Sequence, residues 1–536
     1  MNITKKEIIA LIVWSIFIII LSIIPYLIGA SYCPPGMKFM YFIGNNFDQN
    51  SYIAWMKQAQ EGNILFEDKF TTEPHPKVFF HPFFLFCGIF SSITGIDLLI
   101  TYHLIRVIFT FILLILVYLF SSIFLSKIHY KLFFLMLISL SSGLGWLAPH
   151  PLLSPLGNNY QIMSIDMWVS EAITFLTILT KPLFITALIL MISIFILILK
   201  SYETKKVYLS VIAGILGAIL GLIHPYDIIT IYSVNIIYLI WIRGNYKQIK
   251  SFIIFLILSL PAIIYEYIIF TFTPVFKEWA KTFTLSPNPY SFIIGYGFIG
   301  LFAFIYIYYN WDKKSKKDIF LISWVFTVLL LSYFPIRFQR RLILGLHIPL
   351  TLLATNGIFK YVIPWIKNKP FFKKINEAIL LLIIFVLTIP TNIRYIIDDL
   401  YHTKTYYLNY NLYNEDVEAL KWIDKNIPSS ETVLASFVIG IYIPGWTGNK
   451  VYVGHYDQTI NANEKLKRIR IFFNNETTIN ERINLIKESK ARYIYYGPFE
   501  RIVGTPNFDK MDFLKKIYQN EKVSIYKIND DVLKMY

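Results

Sequence analysis

Apolar runs of about 17–25 residues, each long enough to cross a bilayer, recur from near the start of the chain to Ile389. The first, Ile8–Leu27, follows Lys5 and Lys6 and reads as a retained anchor, because no small-residue cleavage pattern follows it cleanly. Further spans are read near Leu98–Leu125, Leu132–Leu147, Ile173–Leu199, Val207–Ile223, Ile228–Ile242, Phe252–Phe272, Phe292–Tyr309, Ile319–Tyr333, Leu342–Phe359 and Ala378–Ile389, which makes about eleven. Phe79–Thr94 is apolar but short, contains Pro82 and ends at Gly95 and Asp97, so it reads as a helix lying at the interface. Counting it as a span would turn Lys127, His129 and Lys131 outward and invert every later loop. With it left out, the basic loops Lys127–Lys131, Lys200–Lys206, Arg243–Lys250, Lys313–Lys317 and Lys367–Lys374 all face the cytoplasm. The N-terminus is then cytoplasmic, and an odd number of spans puts the C-terminus outside.

From about Tyr401 the pattern changes, with charges throughout and shorter apolar segments. Glu415–Lys425 reads as an amphipathic helix stopped by Pro428, and Thr432–Ala435 and Lys450–Val453 as buried strands. Asn463–Phe473 and Ile479–Ser489 read as helices, Tyr493–Tyr496 and Val523–Ile528 as strands. The expected architecture is an α-helical polytopic membrane domain over residues 1–400, with a large external first loop (about 29–97), then an extracytoplasmic α/β domain over 401–536.

Composition excludes a soluble protein, since 56% of the 536 residues are hydrophobic and only 16% charged. The formal charge of +16 resides mostly in short inter-span loops, a positive-inside pattern rather than a nucleic-acid stripe. Cys33 and Cys87, the only cysteines, establish neither a disulfide framework nor a metal site. Gly-rich nucleotide loops, HExxH and cysteine–histidine zinc spacings are all missing from the sequence, so a cytosolic nucleotide-driven enzyme has no support.

Polar oddities collect at the external edge. The stretch Asn45–Trp55 opens an amphipathic run in which Asp48 and Tyr52, four apart, share a helix face; its loop ends at His81-Pro82. The loop Pro149–Glu171 carries Asp166 and Glu171 and no Lys or Arg, and the turn His224-Pro225-Tyr226-Asp227 joins two spans. Pro335–Arg341 places Arg337, Arg340 and Arg341 outside, against the positive-inside bias, with His347 two turns further on. Guanidinium forks beside an apolar boundary need anionic partners: lipid phosphates, or this chain's own acids. Asp48 and Asp166 also read as helix caps, and His224 and His81, each before a proline, as turn residues. Lys181-Pro182 inside a span signals a kink. At strand ends of the C-terminal region, Ser436, Gly448, His455 and Tyr456 are weaker candidates.

The order Asp48, Tyr52, His81-Pro82 and Arg106, a many-span body and a C-terminal α/β region resemble the GT-C superfamily of integral-membrane glycosyltransferases, loosely the protein mannosyltransferase and aminoarabinose transferase group. The resemblance implies a polyprenyl- or dolichyl-phosphate sugar donor and a glycan, lipid or protein acceptor, with Asp48 as general base in one inverting displacement. Together with the polar residues at the external edge, this makes Tyr52, His81, Asp166, Glu171, His224, Asp227, Arg337, Arg340 and Arg341 the expected substrate contacts. The pattern departs from the family in lacking a DxD; a divalent cation (Mg or Mn), if the reaction uses one, would fall to Asp166 and Glu171, spaced i, i+5. It also lacks a WWDYG-like motif, which weighs against oligosaccharyltransferase. Two other classes fit the composition: a transporter or flippase of lipid-linked sugars, and a non-catalytic assembly protein that binds lipid headgroups. A transporter would want midplane ionisable residues and two similar halves, and no repeat is visible.

Overall fold

The computed structural model describes residues 4–44, 46–148 and 163–531. Asn45 and the first part of the Pro149–Glu171 loop, residues 149–162, lie outside the described residues. Helix α1 (Lys5–Ser31) is followed by α2 (Asn46–Gln60) and α3 (Pro82–Thr94). Chain contacts divide the molecule into two compact units: Met1–Pro25, His103–Glu266 and Phe283–Leu400 form the first, and Tyr26–Tyr102, Tyr267–Thr282 and Tyr401–Tyr536 the second.

Among the described residues seven helices are long and apolar enough to cross a membrane: α1, Leu98–Phe124, Pro182–Thr204, Tyr246–Phe272, Pro289–Lys313, Gln339–Lys367 and Glu377–Thr405. The apolar helices α3, Ile128–Leu140 and Val207–Ile223 are shorter. With 13 residues, α3 rises only about 20 Å, less than a bilayer core.

Several expected spans are interrupted in the first unit, each for a local reason. The segment read as Ile173–Leu199 breaks at Lys181 into Thr174–Thr180 and Pro182–Thr204, because Pro182 lacks an N–H and starts a new helix. In the segment read as Leu132–Leu147 the α-helix, Ile128–Leu140, stops at Leu140, and only a single 3-10 turn, Gly145–Leu147, follows. Beyond it, Gly143 lets two backbones touch: a Cβ there would lie 2.2 Å from the Ile294 carbonyl, to which Leu144 N–H donates at 2.8 Å. On the facing helix, Gly297 has φ 41°, a left-handed kink that favours glycine. Arg106, buried in the same unit, donates to Ser22 Oγ (3.2 Å) and the Ile178 carbonyl (3.1 Å), so its charge holds helices together.

The second unit carries two sheets. Strand β1 (Met37–Phe39) pairs antiparallel with β2 (Asn411–Tyr413). The larger sheet contains β3 (Thr432–Leu434), β4 (Lys450–Val451), β5 (Tyr493–Tyr496), β6 (Leu514–Gln519) and β7 (Ser524–Ile528), in the order β4-β3-β5-β7-β6. Its β4-β3-β5 part is parallel and its β5-β7-β6 part antiparallel. Helices Asn414–Asn426, Ala462–Phe473 and Ile479–Ser489 accompany it, and Leu434, Phe472, Phe473, Ile486, Ile494 and Phe508 anchor its core. Cys33 and Cys87 are both free thiols.

Candidate functional site

Asp48 occupies the first turn of α2, where a carboxylate is favoured by the helix N-terminus, and it is half-buried. Its i+4 neighbour Tyr52 packs its ring 5.3 Å from Phe84 of α3. His81 stacks on the same Phe84 at 4.0 Å and caps α3, its Nδ1 accepting from Phe84 N–H at 3.4 Å. Tyr52 and His81 therefore share one aromatic support beneath the α2–α3 corner.

The segment after β4 also comes to Asp48. His455 is buried and its charge environment is set by Asp48 and Asp457. Burial pushes its imidazole below the ordinary value, and the two carboxylates only partly offset that. Its Nδ1 accepts from the backbone N–H of Asp457 (3.1 Å) and Gln458 (3.3 Å). Phe47, next to Asp48, meets His455 edge-on at 6.4 Å, Tyr456 at 5.5 Å and Phe437 at 5.7 Å. Of the four weaker candidates, His455 thus comes to Asp48 and Tyr456 to the adjacent Phe47. Ser436 N–H instead donates to Glu500 Oε1 at 2.8 Å, and Gly448 closes helix Ile443–Thr447 with φ 73°. Phe47, Phe437 and Gln458 escaped sequence reading; only the adjacency of Phe47 to Asp48 signalled any of them.

The first unit holds the other candidates. Asp166 is fully buried and its oxygens are taken: Oδ2 accepts from Gly143 N–H (2.9 Å) and Gly145 N–H (3.3 Å), and Oδ1 from Ser164 Oγ. Burial raises its pKa, and these hydrogen bonds work against that rise. Glu171 is buried too; burial pushes its carboxyl up, but Arg340, Arg341 and His224 together hold it below the ordinary carboxylate value. Arg340 lies 4.8 Å over the Trp168 ring. His224 Nδ1 faces Asp227 Oδ2 at 2.9 Å, so the turn between two helices carries its own buried pair. Arg337 is set apart from this group: it is exposed and lies over Phe283 at 5.1 Å. His347 is held by Ser141 Oγ (3.1 Å) and by Thr174 N–H donating to its Nδ1 (3.3 Å).

Asp166 and Glu171 do not fit a divalent cation as a pair. The lone pairs of Asp166 already serve three donors, and two guanidinium groups act on Glu171. Among the described residues no three His, Cys, Asp or Glu side chains gather as a metal site.

No protein-family model matches this sequence, and no curated protein matches it. The fold does match solved structures. The oligosaccharyltransferase AglB from Archaeoglobus fulgidus, solved in complex with an inhibitory peptide and a dolichol-phosphate, is similar with TM-score 0.50 and 12% identity, over 90% of this chain and 69% of that one. Another structure of the Archaeoglobus fulgidus oligosaccharyltransferase is a complex with zinc and sulfate. The arabinofuranosyltransferase AftD from Mycobacteria is similar with TM-score 0.56 and 10% identity; 99% of this chain spans 40% of that enzyme. These likenesses define the class: the chain has the GT-C fold, a polytopic helical membrane protein with a C-terminal α/β sheet.

Proposed function

We propose that this chain is a membrane glycosyltransferase that moves a sugar from a polyprenyl- or dolichyl-phosphate carrier to an acceptor hydroxyl on the outer face of the cytoplasmic membrane. The observation that carries the reading is Asp48, a half-buried carboxylate on the first turn of α2 in a fold shared with a dolichol-phosphate-bound oligosaccharyltransferase. In the reaction the acceptor oxygen bonds to the anomeric carbon, and the bond from that carbon to the phosphate oxygen breaks. Its electron pair leaves on the lipid phosphate, and the acceptor proton passes to Asp48, so the anomeric centre inverts. Tyr52, one helical turn after Asp48 on α2, and His81 both rest on Phe84.

In the first unit, Arg340 and Arg341 are read as ligands of a lipid phosphate. Both guanidinium groups act on Glu171, and a planar fork of N–H donors suits phosphate oxygens. Glu171 orients both and the Trp168 ring supports Arg340; the His224–Asp227 pair braces the turn between its two helices. Asp166 acts as a brace of the Gly143–Gly145 segment. The orientation given by the basic loops, with the C-terminal sheet outside, belongs to the same reading.

The test is transfer of radiolabel from a panel of polyprenyl-phosphate sugars into cell-envelope acceptors by the purified protein, with NMR of the product anomer. Transfer with inversion is expected. Retention of configuration, or no transfer from any donor, would overturn the reading.

A further inference from the structure

We propose that the acceptor is a saccharide, bound in the second unit on the Phe47–Phe437–Tyr456 rings with its hydroxyl edge on His455 and Gln458. This rests on Asp48 being the base, and adds the substrate class.

The polar half is a matched pair of buried groups. His455 is 4% exposed, and because Nδ1 accepts two backbone N–H bonds, its proton sits on Nε2. Among the described residues that Nε2 has no hydrogen-bond partner. Gln458, 3% exposed, donates through Nε2 to Ser51 Oγ at 2.6 Å, while its Oε1 has no partner among the described residues. Ser51 lies three residues after Asp48 on α2, so the Gln458 amide lies against the helix turn that carries the base, and His455 feels the charge of that base. A buried donor or acceptor left unmade costs about 1–3 kcal/mol. A hydroxyl supplies both complements, which makes a polyol edge the natural occupant.

The apolar half is the ring cluster. Phe437 and Tyr456 lie 4.4 Å apart, both within 6 Å of Phe47, and Tyr456 is 53% exposed. The faces of aromatic rings are electronegative, and the C–H face of a pyranose or furanose is weakly positive, so the two stack. A sugar is unusual among small acceptors in having one C–H face and a rim of hydroxyls.

The experiment uses the full-length purified protein with methyl hexosides, methyl pentosides, their disaccharides and a Ser/Thr/Asn-containing peptide as probes. Saturation-transfer NMR reads binding, and label transfer from the carrier-linked sugar reads turnover. Tyr456→Ala and Phe437→Ala are expected to raise the KM for a saccharide acceptor at least tenfold and leave the donor KM unchanged. His455→Asn keeps an oxygen near Nδ1 to serve the Asp457 and Gln458 N–H groups but lacks Nε2–H. It is expected to lower kcat/KM for the saccharide at least tenfold with an unchanged unfolding temperature. If the peptide is glycosylated and no saccharide binds or reacts, the acceptor proposal falls while glycosyl transfer stands. If no probe accepts sugar yet saccharides show Tyr456-dependent saturation transfer, the binding site stands and the transfer reading falls. Unchanged saccharide binding and KM in the ring variants would overturn the proposal.

Discussion

Replacing Asp166 separates a brace from a ligand-binding carboxylate. Its Oδ2 accepts from the backbone N–H groups of Gly143 and Gly145, and its Oδ1 from Ser164 Oγ, all buried. In Asp166→Ala the Ser164 hydroxyl can turn elsewhere, but the two backbone N–H groups cannot. Each buried donor left unmade costs about 1–3 kcal/mol, so the loss is roughly 2–6 kcal/mol. The segment has little room to adjust, because Gly143 already lies against the Ile294 carbonyl. Asp166→Asn keeps an oxygen for both N–H groups and turns its amide nitrogen to Ser164, losing mainly the charge assistance, about 1 kcal/mol. Unfolding temperature in detergent, followed by scanning fluorimetry beside the transfer assay, should therefore rank wild type, Asn and Ala in falling order. Transfer by folded Asn variant should stay near wild type. An Ala variant that unfolds like wild type but transfers no sugar would refute the brace and return Asp166 to substrate or metal.

Arg340→Gln and Arg341→Gln should each weaken binding of polyprenyl phosphate by about tenfold or more, since a charged hydrogen bond contributes about 1.5–3 kcal/mol; competition against labelled donor measures it, and unchanged affinity in both would remove the phosphate role. Asp68, fully buried and with Oδ2 unbonded among the described residues, has its carboxyl pushed by burial up to about 7, against the Phe70 N–H and Lys465 and Lys450. The native state thus holds a proton that the unfolded chain releases near 3.8, so stability is lost as pH rises through that window, up to about 4 kcal/mol. Asp68→Asn should therefore stabilise the protein at pH 8 and much less at pH 5; an equal effect at both would contradict the assignment.

The long apolar helices were legible because length and composition alone decide them, and the break at Lys181 because proline has one steric consequence. The Asp48–Tyr52 face was legible from the period of a helix. Strand β6 was not: its sequence Leu-Lys-Lys-Ile-Tyr-Gln sits at the sheet edge, mostly half-exposed, with a register shift between Lys516 and Tyr518 that breaks any alternation. The β1–β2 pair joins three residues near 38 to three near 412, and so short a ladder leaves no local signal. Arg340 and Arg341 announced a need for anions, and Glu171 answers part of it. The backbone donors on Asp166 come from residues 21 and 23 positions away, a contact that no local pattern encodes. His455 could be placed at a strand end, but its spent Nδ1 and unspent Nε2 exist only once the following turn folds back.

The most direct measurement is single-turnover transfer from a bound, labelled polyprenyl-phosphate sugar, comparing wild type with Asp48→Asn. A base in contact with the acceptor contributes about 10²–10⁴ in rate. The Asn variant should lose at least a hundredfold in rate while its unfolding temperature and carrier binding stay at wild-type values. Transfer at the wild-type rate by a folded Asp48→Asn protein would contradict Asp48 as the base and leave it as a helix-terminal carboxylate.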